Sequence, residues 1–108
     1  MPNRKPVRGK ELQRAVIDYA HLRHWFVIHN PTIQDSRGIW RTALAADARG
    51  FPDLLCFRDR VVAIEIKGDG DSMKAEQTEW RERCQRAGVE HYVIRPKDWP
   101  DAVREILD

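Results

Sequence analysis

Arg49-Gly50-Phe51-Pro52-Asp53-Leu54-Leu55-Cys56-Phe57, followed across Arg58-Asp59-Arg60 by Val61-Val62-Ala63-Ile64-Glu65-Ile66-Lys67, is the stretch that decides the fold. An apolar run follows Asp53, the second segment is β-branched at Val61, Val62, Ile64 and Ile66, and the residues between suit a turn, so the pair reads as a β-hairpin. Side chains alternate across a strand. Val61, Ala63, Glu65 and Lys67 therefore share one face, while Val62, Ile64 and Ile66 share the other and have the character of a core. A three-residue turn centred on Asp59 sets Phe57 opposite Val61, Leu55 opposite Ala63 and Asp53 opposite Glu65. A two-residue turn pairs Asp53 with Ile64 instead and sends the carboxylates to opposite faces.

In the three-residue register two acids stand with their side-chain roots roughly 5 Å apart, an arrangement that is destabilising unless something positive lies between them. A hard divalent cation such as Mg²⁺ is held by one or two carboxylates with waters and phosphate oxygens, and Lys67 adds a fixed positive charge two residues on. Those are the parts of a metal-assisted phosphodiesterase.

Outward from the hairpin, Leu12, Ala15, Val16, Tyr19 and Leu22 recur at helical spacing and predict a helix from Gly9 or Lys10 to about Arg23. Glu11 falls in its first turn, where the helix dipole favours an acid in any case, though it also neighbours the buried stripe. Trp25 to His29 reads as a strand closed by Pro31. Residues 31 to 48 have no clean period. They bring Arg37, Trp40 and Arg41 together with Arg49, a combination suited to phosphates and base stacking, and a connection of this length is expected to be functional or mobile.

Beyond the hairpin, Gly68-Asp69-Gly70-Asp71-Ser72 reads as a loop ending in N-cap candidates. The helix after it is expected to run to about Ala87 and stop at Gly88, with Met73, Gln77, Trp80, Cys84 and Ala87 facing inward. Gln77 is a polar amide in an apolar stripe. It either bonds the loop backbone or serves the site as a supporting, water-positioning group. His91 to Ile94 predicts another strand, and Asp98 or Trp99 to Leu107 a last helix with Pro100 in its first turn. The alternation indicates an α/β fold, a mixed sheet flanked by helices.

The chain has 108 residues, enough for one domain over residues 9–108, preceded by a basic flexible arm over residues 1–8. Arg8 in that arm and Lys10 just after it are candidates for phosphate contacts. Lys and Arg number 19 against 17 Asp and Glu, so any basic footprint must come from how charges are placed. Cys56 and Cys84 lie in apolar settings without metal-ligand spacing and are expected as buried free thiols in a reducing cytoplasm. Only His21-x-x-His24 has helical ligand spacing among the histidines and no Cys joins it, so a zinc site is not expected. No stretch resembles a secretory signal or a membrane span.

With Glu11, Gly50-Phe51-Pro52-Asp53-Leu54, Glu65-Ile66-Lys67 and Gln77-x-x-Trp80 in this order, the chain resembles the VRR-NUC branch of the PD-(D/E)XK nuclease superfamily over roughly Gly9 to Leu107, and looks like its small stand-alone phage and bacterial members. The resemblance implies a restriction-endonuclease-like αβββαβ core with a C-terminal helix, and it favours the three-residue turn. It implies that Asp53, Glu65 and the main-chain carbonyl of Ile66 hold Mg²⁺ or Mn²⁺, with Glu11 joining directly or through water. Lys67 would orient or activate the attacking water, and Gln77 would support the arrangement. It further implies DNA as partner, phosphodiester cleavage leaving a 5′-phosphate and a 3′-hydroxyl, and the cytoplasm of a bacterial or phage-infected cell. A homodimer acting on branched or four-way junction DNA is the corresponding expectation. The competing expectation is a non-catalytic nucleic-acid-binding module of the same fold.

Overall fold

The computed structural model describes residues 9–30, 32–34, 36–42 and 46–108, with the backbone alone for 32–34 and 40–42. The expected arm over residues 1–8, Arg8 included, lies outside the described residues. The element order is α1 (Gly9–Leu22), β1 (Phe26–His29), β2 (Thr32–Gln34), β3 (Trp40–Thr42), β4 (Leu54–Phe57), β5 (Val61–Ile66), α2 (Ala75–Arg86), β6 (Glu90–Ile94), a 3-10 turn (Pro96–Asp98) and α3 (Asp101–Leu107). This is the expected αβββαβ core and C-terminal helix, with a small β2–β3 hairpin inserted after β1.

The four-stranded sheet has the order β1-β4-β5-β6. β4 runs antiparallel to both β1 and β5, whereas β6 is parallel to β5. A parallel pair needs a crossover of a dozen or so residues, which α2 and its loops supply. The β4–β5 register pairs Leu54 with Ile64, Leu55 with Ala63, Cys56 with Val62 and Phe57 with Val61. The turn is therefore the three-residue one.

Direct pairing puts Leu54, Cys56, Val62 and Ile64 on one face of the sheet. That face packs against Leu12, Val16 and Ala20 of α1 and Val103 and Leu107 of α3, all essentially inaccessible to water. Each such aliphatic side chain contributes about 1.5–3 kcal/mol on burial, so this layer is the main source of stability. Trp25 locks the layer's end by donating its indole N–H to the Leu107 carbonyl at 2.8 Å, while the guanidinium carbons of Arg58 and Arg60 stand 4.4 and 5.2 Å from its ring centre.

The opposite face was expected to be the more polar one. Ala63 and Glu65 on it are nonetheless buried, on the side where α2 packs on β6 with Cys84 inward and Gln77 reaches Glu65. Both cysteines are buried free thiols, and burial pushes the Cys56 thiol up to about 11.

Three boundaries differ from the sequence reading. The segment after Pro31 contains the β2–β3 ladder, pairing Thr32 with Thr42 and Gln34 with Trp40. α2 starts at Ala75 rather than just after Ser72, because the Gln77 side chain caps the Lys74 N–H at 2.9 Å and Asp71 is engaged by the Gly68 N–H at 3.2 Å. At its other end the helix stops at Arg86, so Ala87 is its C-cap and is exposed. The last helix begins at Asp101, with the 3-10 turn occupying the span before Trp99.

Candidate active site

The site forms where β5 ends. Asp53 immediately precedes β4 and continues its register to a position opposite Glu65, the penultimate residue of β5. Four hydrogen bonds fix this corner. Asn30 donates its backbone N–H to the Asp53 carbonyl at 2.7 Å and its side-chain amide to the Phe51 carbonyl at 3.2 Å. The Ile66 N–H donates to Asp53 Oδ2 at 2.7 Å, so one oxygen of Asp53 is held on the end of the neighbouring strand. Lys67 donates its backbone N–H to the Ile94 carbonyl at 3.0 Å, extending the β5–β6 pairing past the site.

Glu65 is 3 % exposed, an unusual burial for a carboxylate. Its Oε2 accepts the Gln77 amide N–H at 3.0 Å, and its Oε1 has no hydrogen-bonding partner. Burial, and then the Asp53 charge, raise the Glu65 carboxyl from the usual 4.5 to about 8, with Lys67 opposing. Asp53 is also raised, chiefly by burial, against the pull of the Ile66 N–H, Glu65, Lys67 and His29. Without a cation the pair retains a proton that two ordinary carboxyls would release at neutral pH.

An orphaned buried oxygen beside a second carboxylate is the donor set a divalent cation satisfies. The residues fit such an ion: Asp53 and Glu65 supply oxygens, with Lys67 close enough to lower both acids. Among the described residues no group of three or more His, Cys, Asp or Glu is arranged to hold a metal. Glu11 is exposed on α1 and is not among the residues lining the adjoining cleft. It stands about 100° around the helix from Lys10, which does line it.

Gln77 makes a loop-backbone bond and a bond to Glu65 at once, accepting the Lys74 N–H through Oε1 and donating to Glu65 through Nε2. Trp80, one turn on, explains the rest of the Gln-x-x-Trp spacing. Its ring meets Phe51 edge to face with centres 5.0 Å apart, and its indole N–H donates to the Asp47 carbonyl at 3.2 Å. Gly50 is required by the same packing. It has a φ of +80°, and a Cβ there would come within 2.5 Å of the Glu76 backbone.

Gly9, Lys10, Gln13, Arg14 and Ile17 of α1 face His29, Asn30, Asp53 and Ile66 across an open cleft of about 530 Å³. Gln13 and His29 touch across it, Nε2 to Nε2, at 2.7 Å. Of the residues expected to meet nucleic acid, Lys10 is in this cleft. Arg49 lines a separate one with Asp47, Glu76, Glu79, Trp80 and Arg83, and Arg37 is exposed in the β2–β3 turn. Trp40 and Arg41 lie on β3, with side chains outside the described residues. The sequence reading missed Gln13, His29 and Asn30. The spacing of Lys10, Gln13, Arg14 and Ile17 was a legible second stripe, but nothing local marks His29 or Asn30.

The family model for the VRR-NUC domain matches residues 11–98, spanning Asp53, Glu65, Lys67 and Gln77. The chain belongs to the VRR-NUC family. This makes it a nuclease-type domain whose partner is DNA, in a family that usually needs a divalent metal. A solved structure of a VRR_NUC domain protein shares the VRR-NUC fold with a TM-score of 0.63, covering 94 % of this chain and 87 % of that one at 24 % identity. No curated protein matches the chain. Among the described residues, no helix of this VRR-NUC chain is long and apolar enough to cross a membrane.

Proposed function

We propose that this VRR-NUC domain is a DNA endonuclease dependent on Mg²⁺ or Mn²⁺, held by Asp53, Glu65 and the main-chain carbonyl of Ile66. The observation that carries the reading is the buried, unpartnered Oε1 of Glu65 beside Asp53. When bound, the cation polarises the scissile phosphate and lowers the pKa of a water. Gln77 keeps Glu65 from rotating away. Lys67 orients the attacking water and balances charge growing on the phosphate as the 3′ oxygen leaves, giving a 5′-phosphate and a 3′-hydroxyl. Glu11 would join the ion directly or through water.

Plasmid nicking with Mg²⁺ or Mn²⁺, compared with EDTA, tests this directly. Wild type should nick only with the cation, and Asp53→Ala and Lys67→Ala should be folded and inactive. Retained cleavage by either variant sinks the assignment, and binding without nicking by wild type identifies a non-catalytic module. One such site cuts one strand, so we propose a homodimer acting on branched or four-way DNA. Sedimentation showing a monomer at micromolar concentration, with no preference for junctions over duplex, removes that part.

A further inference from the structure

We propose that the cleft between α1 and the end of β1 seats one nucleotide of the strand being cut, immediately beside the scissile phosphate. Lys10 and Arg14 face its own phosphate, and the Gln13–His29 pair faces its sugar and base. The inference rests on the reading above, because it takes the scissile phosphate to lie at Asp53 and Glu65.

Three observations carry it. Asp53 and Ile66 form part of the cleft wall, so the space opens directly onto one of the two acids. Its volume, about 530 Å³, falls within the range of pockets that enclose a single small ligand. The walls are also chemically divided as a nucleotide requires. Lys10 and Arg14 offer cations one turn apart, Ile17 offers an apolar surface, and Gln13 with His29 offers an amide and an imidazole.

The walls are built to receive a ligand rather than to close on themselves. Arg14 pairs with Asp18 at 3.3 Å, but their side chains are 79 % and 64 % exposed, so the pair is worth little and exchanges readily for a phosphate. Asn30, by contrast, is 9 % exposed and ties the floor of the cleft to Phe51 and Asp53. The cleft containing Arg49 is the poorer candidate. It sets Asp47, Glu76 and Glu79 against Arg49 and Arg83, and Asp53 does not line it.

The test is binding of a fluorescein-labelled single-stranded dodecamer in EDTA, measured by anisotropy over a range of salt, with steady-state cleavage in Mg²⁺ alongside. Lys10 and Arg14 are exposed, so Lys10→Ala and Arg14→Ala should keep the wild-type melting temperature. Each should weaken binding several-fold and reduce the slope of log affinity against log salt by roughly 0.7. Gln13→Ala and His29→Ala should weaken binding with the slope unchanged, and raise KM more than they lower kcat. Arg86→Ala, at the far end of α2, is the control. If wild type nicks plasmid while all four variants bind and cleave as it does, the cleft assignment is overturned and the nuclease reading stands. If wild type neither binds nor nicks, both fall together.

Discussion

The amide of Gln77 donates to Glu65 Oε2 at 3.0 Å while its carbonyl oxygen accepts the Lys74 N–H at 2.9 Å, so one side chain both starts α2 and orients a buried acid. Gln77→Ala removes both bonds. Losses of this kind around a metal ligand typically lower activity about 10–100-fold. Single-turnover cleavage should fall by that order with the circular dichroism spectrum retained. Gln77→Glu should be worse, since it sets a third carboxylate against Glu65. A Gln77→Ala enzyme as fast as wild type removes the residue from the site.

Gly50 is where the loop carrying Asp53 meets the first turn of α2. An alanine there would have to adopt a φ of +80° and displace the Glu76 backbone. Gly50→Ala should lower unfolding stability by about 1–3 kcal/mol, the range for strain at a special backbone position. Cleavage should fall as well, because displacing Glu76 also displaces Gln77. Urea unfolding and single-turnover rates measure the two effects, and an unchanged urea midpoint excludes the contact.

The raised Glu65 carboxyl makes stability depend on pH in a stated direction. The folded protein holds a proton up to about pH 8 that the unfolded chain releases near 4.5, so the stability linked to it is lost as pH rises through 8. In EDTA the melting temperature of wild type should fall between pH 6.5 and 8.5 relative to Glu65→Gln. Added Mg²⁺ or Mn²⁺ should raise it more at pH 8 than at pH 6.5, because the ion then binds without displacing that proton. Parallel profiles for wild type and Glu65→Gln contradict the linkage.

His91 has the opposite sign, over a window that runs from 6.5 down to about 4. Its two ring nitrogens are buried without partners beneath α2, and burial, with Arg81 nearby, lowers it from 6.5 to about 4. The stability linked to its neutral form is complete above pH 6.5 and lost as pH falls through 4. His91→Leu should therefore gain melting temperature relative to wild type at pH 4.5 compared with pH 7.5. An equal difference at both pH values refutes the assignment.

The hairpin was legible because its physics is local. A period of two marks both strands, and the three-residue turn, which the family resemblance favoured over a two-residue one, puts Asp53 opposite Glu65. The β2–β3 hairpin was not legible, because three-residue strands carry a single alternation that loop residues imitate. The start of α2 was misplaced for a related reason. Ser72 and Asp71 look like caps, but the cap comes from Gln77 within the helix, and Asp71 closes the preceding loop. The Gln13–His29 contact joins residues 16 apart through tertiary packing, and no local pattern encodes it. Glu11 shows the converse. Its place in the motif is plain in the sequence, but the direction of its side chain depends on how α1 is rotated on the sheet.

Trp80 fastens the strip that delivers Asp53, and Gln77 fastens the strand that delivers Glu65. Three residues of one helix, about 4.5 Å of rise, separate these two fastenings. α2 thus works as a jig. The β4–β5 register sets the gap between the acids and α2 clamps both of its flanks, so sliding or tilting α2 disturbs Asp53 and Glu65 together.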